Sequence, residues 1–201
     1  MSSRYLIPAS THRVEESIKR SRFIATAAHA PDSESAKAFV AELKAEFPDA
    51  THNCWAFAAG PPGDTAQVGM SDDGEPHGTA GKPMLNTMLH GNVGEVAVVV
   101  TRYFGGTKLG TGGLVRAYSS MVNLVLETLP TREQVDTATR TVTIPYHAVT
   151  LFKRLLPGFE AEVVEEVFSE AAVFVVTLPI EHLKSFSSQL AELTDGRGRI
   201  E

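Results

Sequence analysis

The stretch VGEVAVVVTRYFGGTKLGTGGLVRAYSSMVNLVLETLP, residues 93–130, constrains the fold more than any other part of the chain. Its first third is an unbroken apolar run rich in β-branched residues, the pattern of a strand buried on both faces. Five glycines follow within the twelve residues from Arg102 to Gly113. Apolar residues at 114, 115, 118, 121, 122, 125, 126 and 129 then recur at helical spacing, with Arg116, Ser119, Ser120, Asn123 and Glu127 on the opposite side. That is a long amphipathic helix, so the region reads as central strand, glycine loop and packed helix.

Upstream, HRVEESIKRSRFIATAAHA reads as two short strands meeting around Arg20 to Arg22. Arg13, Lys19, Arg20 and Arg22 make this the densest basic stretch, expected as solvated strand ends. From Asp32, apolar residues at 36, 39, 40, 43 and 47 predict a helix with Asp32 or Ser33 as N-cap and Pro48 as its stop. THNCWAFAAG suits a strand, whose alternation puts His52 and Cys54 on one face and Asn53, Trp55 and Phe57 on the other. SDDGEPHGTAGKP, residues 71–83, is a loop by composition. Thr79 fits as N-cap for a helix carrying Met84, Leu85, Met88 and Leu89 and stopped by Gly91.

TLPTREQVDTATR is polar, contains a proline and follows the longest helix, which predicts a boundary between a domain at 1–130 and another at 136–201. Beyond it the elements read strand, helix, two strands joined at Ser169-Glu170, helix, strand. That βαββαβ order is the ferredoxin-like pattern, and the chain as a whole reads as α+β. Nothing in this second unit forms a catalytic constellation.

Composition narrows the chemistry. The 201 residues carry a net charge of −6, so a nucleic-acid partner would have to be met by a local cluster of cations rather than by the field of the whole molecule. No apolar run is long enough for a membrane span and the N-terminus does not resemble a secretory signal, so a cytoplasmic protein with no membrane partner is expected. The single Cys54 can form neither an intramolecular disulfide nor a thiolate zinc site. With His52 it is the one nucleophile-and-base pairing on offer, set against the usual fate of a lone cysteine, burial as a neutral thiol. Asp72, Asp73 and Glu75 are candidate ligands for a divalent ion such as Mg²⁺, although their spacing is not that of a calcium loop and turn hydrogen bonds account for such a loop equally well. No cofactor is expected.

A strand that ends in arginine, passes through glycines and opens a helix suits an anion. The first-turn N–H groups point outward and glycine lets a phosphate approach the backbone. The candidate contacts are Arg102, Gly105, Gly106, Lys108, Gly110, Gly112, Gly113 and Arg116. The alternative is that the glycines serve tight turns and close packing. The Walker pattern is absent.

The R-[aromatic]-[aromatic]-G-G-x-x-L-G core at Arg102–Gly110, within 81–118, resembles the signature of the IMPACT family. DDGEPHGTAGKP at Asp72–Pro83 and HNCWA at His52–Ala56 resemble it too, and the two-domain layout matches the family's bacterial branch over nearly the whole chain. The resemblance implies a first domain like the second domain of ribosomal protein S5. It also implies a ferredoxin-like second domain like the last domain of elongation factor G. It implies RNA or ribosome binding, with regulation of translation as the associated role. The eukaryotic members act through an extra N-terminal RWD domain, not expected here because the first strand begins almost at residue 1. The leading expectation is therefore an RNA- or ribosome-binding protein that is not an enzyme. The alternatives are a nucleotide- or phosphate-dependent enzyme similar to the small-molecule kinases of that fold class, or a Cys54/His52 hydrolase.

Overall fold

A computed structural model describes residues 4–201. The elements run β1 (Arg4–Pro8), β2 (His12–Ile18), β3 (Ser21–His29), α1 (Ser33–Glu46), β4 (His52–Ala58), β5 (Val68–Ser71), α2 (Gly81–Leu89), β6 (Val96–Tyr103) and α3 (Thr111–Thr128). They continue with β7 (Thr131–Val135), β8 (Thr137–Ile144), α4 (Val149–Leu155), β9 (Glu162–Phe168), β10 (Ala172–Pro179), α5 (Leu183–Leu193) and β11 (Arg199–Ile200). Two compact units result, one spanning Tyr5–Gln134 and the other Val135–Glu201 together with Arg4.

In the first unit β2, β3, β6, β4 and β5 form an antiparallel sheet in that order, with β6 in the middle. The β-branched run sits there because both of its faces are covered. Val96, Val98 and Val100 pack with Cys54, Ala56 and Phe23 against Met84 and Met88 of α2 and Leu114, Tyr118, Met121 and Val125 of α3. Ala97 and Val99 face the other way, toward Ala36, Val40 and Leu43 of α1. The alternation read for β4 holds: Cys54 lies on the α2/α3 side, Trp55 and Phe57 on the α1 side. Asp32 is the N-cap of α1, its carboxylate accepting from Ser35 N at 2.7 Å.

The second unit is a four-stranded sheet in the order β11-β8-β10-β9, the first and third strands of the unit central, as a ferredoxin-like βαββαβ chain requires. Phe152 of α4, Phe174 of β10 and Phe186 of α5 meet in its core. The polar segment read as a linker is strand instead. β7 pairs with β1, and Asp136 alone separates β7 from β8. Its mostly exposed Thr, Glu and Gln residues carry no apolar period, so the sequence offered nothing to mark it as strand.

Candidate functional site

The same alternation that buries Val96, Val98 and Val100 sends Arg102 inward at the end of β6 rather than out to solvent. It is 5 % exposed. Its Nη1 donates to Glu75 Oε1 at 2.5 Å and its Nη2 to Ser21 Oγ at 3.2 Å, and its guanidinium lies over the Phe23 and Phe104 rings. Nε has no partner. Tyr118, completely buried on α3, donates its hydroxyl to the same Glu75 oxygen at 2.8 Å, so a carboxylate taken out of water is held by a cation and a phenol at once.

Glu75 reaches this position because of how its loop is folded. The Asp72 carboxylate accepts from Gly78 N, Ala80 N and Gly81 N at 2.7, 3.0 and 2.9 Å. Burial opposes charge on Asp72, but those three N–H groups outweigh it and hold the carboxyl below its usual range. The N-terminus of α2 is thus capped from eight to nine residues upstream. Thr79, the expected N-cap, is not the capping residue: α2 begins at Gly81 with Ala80 at the cap position, whose methyl cannot accept a hydrogen bond, and the Thr79 hydroxyl donates to the Pro76 carbonyl at 2.6 Å instead. Asp73 accepts from Lys44 Nζ at 2.5 Å and from Asn53 N at 2.6 Å. The three carboxylates considered for Mg²⁺ therefore face a helix N-terminus, a lysine and an arginine respectively. Among the described residues no three or more His, Cys, Asp or Glu side chains converge as a metal site would need.

Cys54 is fully buried, its Sγ 2.9 Å from the Asp72 carbonyl oxygen and 3.3 Å from the Tyr118 hydroxyl. Burial pushes the thiol up to about 12, so it is protonated at neutral pH. The His52 ring donates from Nδ1 to the Asp73 carbonyl at 2.9 Å, and its Nε2 lies 3.9 Å from Glu75 Oε2.

The glycines separate by role. A Cβ on Gly105 would lie 1.8 Å from the Arg20 carbonyl oxygen, so this glycine lets the loop after β6 seat on the β2–β3 turn. Its N–H donates to Ser21 Oγ at 3.3 Å. Gly106 and Gly110 hold φ of +84° and +74°, a backbone that L side chains resist. Gly112 is different: it lies in the first turn of α3 with open space where a Cβ would go. Gly110 is the N-cap of α3 and no side chain caps the helix, nor is there an acid in its first turn. Gly113 packs against Leu109.

The cations do not gather at one point. A pocket of about 360 Å³ is bounded by Glu75, Arg102, Phe104, Lys108, Gly110 and Thr111. A second hollow of about 290 Å³ holds Lys19, Gly113, Arg116 and Glu16. Leu109 lines both and forms the ridge between them. Lys108 and Arg116 thus flank the start of α3 on either side, while Arg102 lies beneath with Glu75. Lys19 joins this surface beside Arg116, and the Arg20 backbone is seated against Gly105. The signal was present as the densest basic stretch, but the contact spans more than eighty residues.

Residues 19–126 match the family described as the Impact N-terminal domain, and residues 142–197 match a domain of unknown function, DUF1949. The IMPACT family member YigZ of Escherichia coli is 44 % identical over 96 % of this chain and 94 % of its own length. The IMPACT family member YvyE of Bacillus subtilis is 34 % identical over 91 % of this chain and 83 % of its own. A crystal structure described as that of a hypothetical protein superposes with a TM-score of 0.69 at 42 % identity, covering 100 % of this chain and 97 % of the other.

Proposed function

This chain belongs to the IMPACT family, and from that premise we propose that it binds RNA, alone or in the ribosome, through the surface around the start of α3, with a role in regulating translation in the cytoplasm. One observation carries the reading. Three exposed cations from three separate elements, Lys19, Lys108 and Arg116, line the two hollows on either side of an uncapped helix N-terminus, Arg20 stands next to Lys19 in the β2–β3 turn, and among the described residues none of the four has a carboxylate partner. Elsewhere in this unit Arg13, Arg22, Lys44 and Arg102 are each paired with an acid, while Lys37 and Lys82, like the four, have none among the described residues.

The β2–β3 turn supports the same reading. Lys19 and Arg20 hold φ of 48° and 68° in a two-residue hairpin turn, positions that ordinarily take Asn and Gly. Keeping two long cations in a left-handed turn costs on the order of 1 kcal/mol each, a strain with no packing return, since both side chains are exposed. Phe104, 46 % exposed beside Lys108, offers a ring face to a base, whereas Tyr103 is half-buried with its hydroxyl on Asp49 at 2.9 Å. Phosphates would meet the four cations and the bare N–H groups of Thr111, Gly112 and Gly113.

Co-sedimentation with ribosomes over a salt series tests this. The chain should pellet with them at low salt and dissociate as salt rises, and Lys19→Ala/Arg20→Ala should shift the release to lower salt. Co-sedimentation indifferent to salt and to that pair of substitutions would remove the proposal. The 360 Å³ pocket favours one other reading, a nucleotide-phosphate site of an enzyme. A nucleotide-induced rise in Tm, with no affinity for RNA, would favour it.

A further inference from the structure

The second unit leaves one sheet edge open. Among the described residues β9 pairs with β10 alone, and all seven of its residues are exposed, so a row of its backbone N–H and C=O groups faces solvent. Val163, Val164, Val167 and Phe168 are all large apolar side chains left uncovered there, Val164 being 66 % exposed. Tyr146 extends the apolar surface by stacking on Phe168 with ring centroids 6.2 Å apart, its hydroxyl donating to the Ser169 carbonyl at 2.6 Å. A groove of about 570 Å³ runs beside the strand, bounded by Lys153, Leu156 and Pro157 on one side and Val163, Val164 and Glu165 on the other.

Charge says what such an edge would accept. Five glutamates stand in or next to β9: Glu160, Glu162, Glu165, Glu166 and Glu170. Glu166 is met by Lys153 at 2.6 Å and Glu160 by Arg4 at 2.6 Å, while among the described residues Glu162, Glu165 and Glu170 have no cation. The pairing with β10 is also interrupted: Val163 faces Val176 and Glu165 faces Val175, leaving Val164 as the extra residue of a bulge. A bulge and edge charges are devices against indiscriminate strand addition. Here the charges are of one sign. A second copy of this chain would bring five more glutamates against the first five, but a strand carrying lysine or arginine would meet complementary charge.

The geometry points to β9 as a docking edge for an extended basic segment of a partner protein. That segment adds as a further strand along Glu165–Phe168, sets its apolar side chains on the face of Phe168, and places its cations on the opposite face, where Glu162 and Glu165 stand. The inference concerns the second unit alone and stands or falls independently of RNA binding by the first.

The test uses the full chain and a short synthetic peptide alternating lysine and valine, read by amide hydrogen exchange. The peptide should slow exchange across β9, and a glutamate-valine peptide of the same length should not. Glu162→Lys/Glu165→Lys alters two exposed, unpaired side chains, so it should leave Tm unchanged and weaken the peptide by about tenfold. Failure to bind, binding that leaves β9 exchange unaltered, or affinity unmoved by that double substitution would each overturn the inference. So would concentration-dependent protection of β9 without peptide, which would assign the edge to a second copy.

Discussion

Asp72 shows how much one side chain can organise. Its carboxylate satisfies three N–H groups at the start of α2 and fixes the loop that delivers Glu75 to Arg102. Asp72→Ala should cost about 2 kcal/mol in urea unfolding, since a lost cap costs about 1 kcal/mol and charge-assisted bonds somewhat more. The folded carboxyl lies below its ordinary range, so its contribution is complete at neutral pH and fades as pH falls through the lowered value. The stability gap between wild type and variant should therefore be constant near neutrality and narrow only once the pH has fallen below the ordinary carboxylate range. Arg102 makes the opposite bargain. Arg102→Met leaves the Glu75 carboxylate buried beside Tyr118 without its cation, which should cost about 3–5 kcal/mol, and adding Glu75→Gln should recover part of that loss. Cys54, buried with its thiol pushed up to about 12, should resist iodoacetamide at neutral pH until the chain is unfolded.

At the scale of elements, the glycine loop divides into positions the fold needs and one it does not. Gly105→Ala would drive a methyl into the Arg20 carbonyl and should destabilise the first unit by about 2–4 kcal/mol, detaching the β2–β3 turn from the loop. Gly112→Ala meets open space inside a helix and should stabilise by up to about 1 kcal/mol. If bare backbone at the start of α3 is there for a phosphate, that same substitution weakens RNA binding while Tm rises. An affinity unchanged by Gly112→Ala would make its glycine irrelevant to binding. These elements were legible because their signals are local: the run at Val96–Val100, the helical period after Gly113, and the βαββαβ order of the second unit. β7 was not, because exposed polar strands carry no period. The inward turn of Arg102 follows from the parity it shares with Val100. Its partner does not, since Glu75 lies 27 residues away on a loop whose shape depends on hydrogen bonds from Asp72. The meeting of Lys19 with Arg116 in one hollow, and of the Arg20 backbone with Gly105, depends on tertiary contacts that no local pattern records.

Across the whole molecule, net charge and local charge act in opposition. A chain of charge −6 repels nucleic acid at long range, so affinity must come from contacts within a Debye length, about 8 Å at physiological salt. Among the described residues no helix is long and apolar enough to cross a membrane. The proposed contacts, Lys19, Arg20, Lys108 and Arg116, are all exposed, so their removal should leave the fold within about 0.5 kcal/mol of wild type. The most direct measurement is the salt dependence of binding to a single-stranded RNA by fluorescence anisotropy, comparing wild type with Lys108→Ala/Arg116→Ala. Each lost phosphate contact lowers the slope of log K against log salt by about 0.7, so the double variant should bind more weakly with a slope smaller by about 1.4. A variant that keeps its fold together with the wild-type affinity and slope would contradict the claim that the surface at the start of α3 meets phosphate.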